Sequence, residues 1–564
     1  MDRRTVLALV LVAAVIVFMP RLFPGRARVQ PPTADTVRGA KGPEAPPTST
    51  IAPRDSTVRP PAATVEQDTS TSSDSVRAAA VPVDTVTIAD SLVRYQFVTL
   101  GGALDEVELA RFRALGAGAG SVRLTAPNAP LLQFRGIAGR DTVHFERVNF
   151  VSTGPTGTTV EFRGTTGADT MTLRYTAVPD SFLVHLRGTV SGRLAAESGG
   201  YVLLDLPTSL VSFEADSIDD QRHLAFAYMK GDRDTKGIGF GKLDPGERQI
   251  AAGPLSWVAV KSKYFIVGVL SADERSEIAE FSATGLPRTS RMATQAQGTA
   301  VLRAVGGSFA LKVYAGPQQW HRLRAIGNGF ENSNPYGGWL QPIVQPFATL
   351  VLRVLLWMHE TLRMSYGWVL VVFGVAVRIV LWPLNQRAMR ASIKMQRIQP
   401  ELQEIQKRYK SDPQKLQVEM MRVYKEHGMS PFSMFSGCLP LLLPMPILFA
   451  LFFVFQSTIE FRGVPFLWLA DISQKDPYYI LPIVMGLSMY VLTWIGSRNT
   501  PPNPQTKMMG YIFPVMMTFL LANLAAGLNL YYAVQNIAAL PQQWLIANER
   551  ARSSPGTKPG PGKK

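Results

Sequence analysis

Cysteine is almost missing from this chain. Cys438 is the one cysteine among 564 residues, so no intrachain disulfide can form, and its apolar surroundings suit a small packed hydrophobe rather than a redox group. Histidine is scarce as well. His144, His185, His223, His321, His359 and His427 are scattered, with no HExxH pattern and no Cys/His spacing suited to zinc, so no metal is expected. A phosphate-cradling GxxxxGK is absent, and the glycine-rich run Gly116 to Gly120 reads as a loop before a strand-like segment, which argues against ATP-driven work. With no paired carboxylates, nucleophile elbow or membrane-embedded nucleophile beside a base, neither an enzyme nor a cofactor is expected. Acidic residues are outnumbered, 42 against 58 Lys and Arg, giving a formal charge of +16. In the second half those positive residues cluster between hydrophobic runs, as in the inner loops of membrane proteins, so DNA is not expected as a partner.

A hydrophobic content of 46% and a mean hydropathy of +0.07 are too apolar for a wholly soluble chain of this size and too polar for one that is all membrane. Basic Met1 to Arg4 followed by apolar Thr5 to Met19 reads as an uncleaved signal anchor, residues 1–24, with its start in the cytoplasm. Residues 25–85 are rich in Pro, Thr, Ser, Ala and Asp, cannot bury a core, and read as a disordered tether.

Residues 86–333 change to short alternating runs, namely Leu92 to Leu100, Val143 to Val151, Thr158 to Phe162, Thr170 to Ala177, Ser181 to Val190, Tyr201 to Leu206, Trp257 to Leu270 and Ser308 to Ala315. Gly, Asp and Pro separate them. This spacing predicts an antiparallel β-sandwich of roughly 230 residues on the far side of the membrane from the cytoplasm, acting as a scaffold or docking module.

Residues 334–365 then predict an amphipathic helix lying in the membrane interface, because Arg353 interrupts an otherwise apolar run with helical spacing. Beyond it, residues 366–546 predict a polytopic α-helical core. Its spans are Tyr366 to Leu384, Gly437 to Gln456, Tyr479 to Gly496, Met508 to Ala525 and Gly527 to Ile546, making six with the anchor. The segments 385–436, 497–507 and the basic tail 547–564 carry the positive charge and are placed in the cytoplasm, whereas Ser457 to Tyr478 is slightly acidic and is placed outside. The tail leaves the ribosome open as a contact. Within 385–436, Met389 to Lys410 and Pro413 to His427 predict a helical hairpin, Asp412 capping the second helix. Its apolar stripe includes Met395, Ile398, Leu402 and Met420 and serves either to pack the two helices together or to receive hydrophobic clients.

Arg378 is the singular residue of the core. A guanidinium within a bilayer-spanning run costs about 2.5–3.5 kcal/mol on insertion scales, so it has to face water or a partner. Counted along a straight helix from Asn385, it lies about 10 Å deep, which implies a hydrated cavity. Asn529, Tyr532, Gln535 and Asn536 fall near one face of the last span and are candidates to line that groove with it, although ordinary interhelical hydrogen bonding would use the same amides. Pro440, Pro444, Pro446 and Pro514 permit bends in neighbouring spans, and Met508, Met509, Met516 and Met517 offer a soft apolar wall.

The stretches VRIVLWPLNQRAM, KMQRIQPELQEIQKRYKSDPQKLQVEMMRVYKEHG, SGCLPLLLPMPI, DPYYILPIVMG and GLNLYYAVQNI, with TLGGALDEVEL and YAGP in the outer domain, resemble the YidC family of membrane-protein insertases. The resemblance implies that Arg378 is the positive groove residue, that Tyr532 lines a substrate-contacting helix, that the hairpin helps receive nascent membrane proteins, and that the outer sandwich contacts partners associated with the Sec translocon. It also implies a bacterial inner membrane with both termini cytoplasmic and the large domain periplasmic. The family pattern is broken at Gly374, where relatives often carry Thr, and at Leu524 to Gly527, where a Pro-Ser pair is missing, so no substrate contact is carried over to those positions. A channel or small-solute transporter using Arg378 as an anion site is the competing reading. It lacks the inverted repeats and multiple intramembrane charges that transporters show.

Overall fold

The computed structural model describes residues 83–553, apart from 117–119, 127–128, 140, 197–200, 232–234, 274–276, 289, 335–340, 411, 428–444 and 498–503. The signal anchor, most of the tether, Cys438, Pro440, Pro444 and the end of the tail lie outside the described residues, as do the side chains of Met395, Met508 and Met509.

Four strands, β1 (Thr85–Ala89), β2 (Val93–Val98), β3 (Ala103–Arg113) and β4 (Ser121–Arg123), make a small antiparallel sheet. Fourteen more make the large one: β5 (Gln133–Ala138), β6 (Asp141–Val143), β7 (Val151–Thr156), β8 (Thr159–Thr166), β9 (Asp169–Ala177), β10 (Leu183–Ser191), β11 (Tyr201–Leu206), β12 (Ala225–Lys230), β13 (Thr235–Gly239), β14 (Arg248–Lys261), β15 (Phe265–Ser271), β16 (Ile278–Gly285), β17 (Ala296–Arg303) and β18 (Ser308–Pro317). Its order is β6-β5-β11-β17-β16-β14-β15-β18-β10-β9-β8-β7, with β12 and β13 branching from β14. Although β5 and β18 are far apart in that order, Phe134 and Phe309 lie 6.1 Å apart, so the sheet folds back over itself and buries a common core. Alternation drives this. In β9, Met171, Leu173 and Tyr175 are fully buried while Arg174 faces out, each buried side chain contributing about 1.5–3 kcal/mol. The small sheet closes over the large one where Phe97 meets Tyr175 at 4.9 Å.

Two expected strands are corrected. Trp257 to Leu270 is a hairpin rather than one strand, turning at Ser262–Tyr264, where the Ser262 amide bonds to Phe265 O at 2.9 Å and Asp220 accepts the Lys263 amide. Of Val143 to Val151, Phe145–Arg147 is a turn of 3-10 helix that drops Phe145 into the core. Strands β16 and β17 went unread because Ala, Gly, Ser and Thr give them a weak hydrophobic alternation.

The helices are α1 (Arg193–Ala196), α2 (Ser217–Arg222), α3 (Trp320–Ile326), α4 (Gln341–Leu362), α5 (Tyr366–Val380), α6 (Trp382–Arg408), α7 (Pro413–Glu426), α8 (Met445–Ser457), α9 (Ile480–Ser497), α10 (Pro504–Leu521) and α11 (Ala526–Ser553). Val351, Leu352, Leu355 and Met358 form the buried stripe of α4, which packs on α8. It meets α5 at a bend of 116°, so the two do not continue as one straight rod. Among the described residues α9 alone is long and apolar enough to cross a membrane unaided; α8 from Pro446 and α10 from Gly510 are shorter apolar helices.

The described residues belong to one compact unit, and the connection between α8 and α9 ties the sheets to the helices. Ile459 joins the core of the β-domain. Arg462 Nε donates to both carboxylate oxygens of Glu214 at 2.8 and 2.9 Å, its Nη2 donates to Arg113 O at 2.9 Å, and its guanidinium lies 5.5 Å from the Phe265 ring. Tyr264 and Ser473 share a hydroxyl contact at 3.1 Å, and Glu460 accepts the Trp320 amide. Nothing in the periodicity of the sequence announced this clasp.

Candidate functional site

The helix that carries Arg378 ends two residues later, at Val380, and Pro383 sits in the first turn of α6. Proline there lacks only an amide that has no helical partner anyway, so it starts α6 without penalty. The straight-helix count from Asn385 is thereby corrected: Arg378 occupies the last turn of α5, beside a break at Leu381.

Helices α5 and α11 run parallel in close contact. Leu370 lies beside Gly527, the Phe373 ring meets that of Tyr531 at 5.8 Å with a 34° tilt, and Gln535 donates to Gly374 O at 3.0 Å. One further turn along, Arg378 Nη2 donates to Gln542 Oε1 at 2.9 Å, and Gln542 Nε2 donates to Trp382 O at 3.0 Å. Gly374 suits this approach, since a Cβ there would sit 3.0 Å from Val534 Cγ1, a tight contact that the valine would have to yield to. Gln542 therefore holds both the guanidinium and the carbonyl exposed by the helix break, and it is 1% exposed. Arg378 is part-buried, with no ion pair to a carboxylate among the described residues, and its Nε finds no acceptor among them.

The predicted amides are buried but spread over three neighbours rather than gathered around Arg378. Gln535 serves α5 and also donates to the Tyr531 hydroxyl. Asn536 faces α9, donating to Met485 O at 3.3 Å and Ser488 Oγ at 3.2 Å. Asn529 caps the end of α10 by donating to Leu521 O at 2.9 Å, satisfying a carbonyl that helix termination leaves open. Tyr532 is buried in the same helix. These contacts match interhelical hydrogen bonding, the other use open to the same amides. Gln542 and Tyr531 were missed. A usable signal existed for Gln542, which follows Gln535 by seven residues and so shares its face.

The hairpin forms as α6 and α7, Asp412 accepting the Lys415 amide at 3.1 Å. Ile398 and Leu402 pack with Val423 and Tyr424, with Met420 against them. Ile398 and Leu402 sit in the hairpin's own seam, the packing use of the stripe; Met420 keeps partial exposure and Met395 lies outside the described side chains. Farther along, Arg390 of α6 pairs with Glu549 of α11 at 3.4 Å. Val372, Ile379, Ile483, Leu487, Val515 and Phe519 of the helical region are exposed large apolar side chains.

Comparison with known proteins covers both halves. The family described as YidC periplasmic domain matches residues 85–350, and that described as 60Kd inner membrane protein matches residues 357–553. A membrane protein insertase YidC of Anaeromyxobacter dehalogenans (strain 2CP-C) is 34% identical over 308 residues, covering 54% of each chain. One from Chlorobaculum parvum is 31% identical over 405 residues, covering 67% of this chain and 65% of the relative. The matched region thus spans about half to two thirds of the length of these curated relatives. The crystal structure of YidC from Thermotoga maritima aligns over 82% of this chain and 99% of its own, at 16% identity and a TM-score of 0.28.

Proposed function

The chain belongs to the YidC family, and from that premise we propose that it is a membrane-protein insertase, moving hydrophobic segments of nascent proteins into a bacterial inner membrane. The observation that carries the reading is the part-buried Arg378, held by a neutral amide and not by a carboxylate, with its Nε unpartnered among the described residues. A guanidinium so placed keeps its charge available. An acidic or polar flank of a client is drawn to it by a charge-assisted hydrogen bond, which is about twice as strong as a neutral one. Meanwhile the client's apolar portion moves along the exposed faces of α9 and α10 into lipid, driven by about 25 cal/mol per Å² of apolar surface removed from water. No covalent step is involved.

The protein has six spans, both termini cytoplasmic, the β-domain periplasmic, α4 in the interface, and a hairpin that receives clients through part-exposed residues at the edge of its seam such as Met420. Partners are the bilayer, nascent membrane proteins, the Sec translocon with its associated subunits, and the ribosome through the basic tail. The test is reconstitution of the full chain in liposomes without nucleotide. A single-spanning client with an acidic flank should insert, Arg378→Ala should slow it about tenfold or more, the loss of one charged hydrogen bond worth about 1.5–3 kcal/mol, and Arg378→Lys should restore part of the rate. Equal insertion by Arg378→Ala, or solute flux with no insertion, would overturn the reading.

A further inference from the structure

The outward face of the large sheet holds a second site, independent of the membrane helices. A cavity of about 590 Å³ lies over β7 to β10, lined by Glu161, Arg174, His185, Arg187 and a set of threonines, with no aliphatic side chain and no Phe, Tyr or Trp. The register arranges its charges in two rows. Across one row, Glu161 on β8 stands opposite Arg174 on β9, which stands opposite Arg187 on β10. Across the next, Thr159 faces Thr176, and His185 faces Lys312 on β18.

Two arginines directly opposite each other destabilise a sheet, and strands normally avoid the arrangement. Glu161 offsets one of them, its Oε2 accepting from Arg174 Nε at 2.8 Å. Arg187, His185 and Lys312 have no ion pair among the described residues. The local field is positive: the His185 imidazole is held below its ordinary value by partial burial and then by Lys312 and Arg187. A face built for solvation alone would alternate signs. This one concentrates cations around a concavity within the volume range of ligand sites.

We propose that this face binds an extended acidic peptide segment. Spacing decides the occupant. The rows of Arg187 and of His185 with Lys312 are two residues apart along β10, about 7 Å, which is the separation of side chains at positions i and i+2 of an extended peptide. Alternate carboxylates on one strand reach both rows. A lipid headgroup fits less well, because Lys312 precedes Pro317, where β18 leaves toward the helices, by five residues or about 17 Å of strand. The lining offers a hydrophobic ligand no aliphatic or aromatic side chain to pack against.

The experiment uses the full chain in nanodiscs, with a fluorescein-labelled oligo-glutamate peptide and an oligo-glutamine peptide of equal length read by anisotropy. Oligo-glutamate should bind at least about tenfold more tightly, weakening as salt rises. Arg187→Glu should remove that preference, while Arg187→Gln, a change at an exposed position that also relieves the repulsion with Arg174, should reduce it without lowering the thermal midpoint. Arg378→Ala should leave binding intact, which separates this site from the membrane one. Equal affinity for the two peptides, an Arg187→Glu protein that still prefers glutamate, loss of binding on Arg378→Ala, or full displacement by inorganic phosphate at matched charge would each overturn the assignment.

Discussion

Arg462→Met should release the β-domain from the helical bundle. Arg462 and Glu214 are 6% and 2% exposed at their side chains, and Arg462 also bonds Arg113 O and covers Phe265. Removing one member of a buried pair leaves the other as an uncompensated charge, at about 3–5 kcal/mol. Burial already raises the Glu214 carboxyl above the ordinary carboxylate range while Arg462 pulls it back. Without Arg462 that pull disappears, so Glu214 takes up a proton and the loss is smaller in acid than in base. Hydrogen exchange over residues 457–476 reads the effect, at the Arg462 amide bonded to Ile459 O and the Ile472 amide bonded to Val464 O. An opening free energy lower by about 3 kcal/mol makes these amides exchange about a hundredfold faster. The double variant Arg462→Met with Glu214→Leu should recover most of the protection, since apolar replacement of a buried pair is close to neutral. Acceleration below about threefold in the single variant, or a double variant as fast as the single, would refute the clasp as an ionic device.

Three further outcomes are expected. Glu460 is part-buried with no ion pair among the described residues, its Oε2 buried and unpartnered among them, and desolvation pushes its carboxyl up to about 7. A raised acid favours the folded state below its ordinary value near 4.5 and loses that contribution as pH rises through about 7, so stability should fall across this window. Glu460→Gln keeps an acceptor for the Trp320 amide and should flatten the slope, with thermal midpoints at about pH 5 and about pH 8 as the measure; an unchanged slope excludes Glu460 as its source. Gly367→Ala places a Cβ inside the Phe466 ring and should lower stability by about 1–3 kcal/mol, whereas Gly231→Ala meets open space and should be silent; equal melting of the two proteins would contradict the close packing. Gln542→Leu strands Arg378 Nη2 and Trp382 O together, and should slow insertion of acidic-flanked and neutral clients alike, unlike Arg378→Ala, which should spare the neutral ones.

The sequence by itself determined the period of each region, the charge asymmetry and the motifs. Those suffice for an alternating β-domain before an apolar helical region, for the hairpin with its Asp412 cap, and for Arg378 as the residue out of place, because each depends on neighbours a few positions away. Tertiary structure decided what those residues touch. That Gln535, Asn536 and Asn529 serve three different helices depends on how α11 is rotated within its bundle, and a helical wheel carries no information on which neighbour stands at each angle. That α5 stops at Val380, and that Gln542 bridges the stop, follows from pairing residues about 160 positions apart. Arg462 and Glu214, 248 positions apart, are two ordinary surface types until the fold removes water from both. Local pattern specifies elements because the forces behind it are short-ranged, whereas partners for buried charges are chosen by desolvation, which only the assembled chain imposes.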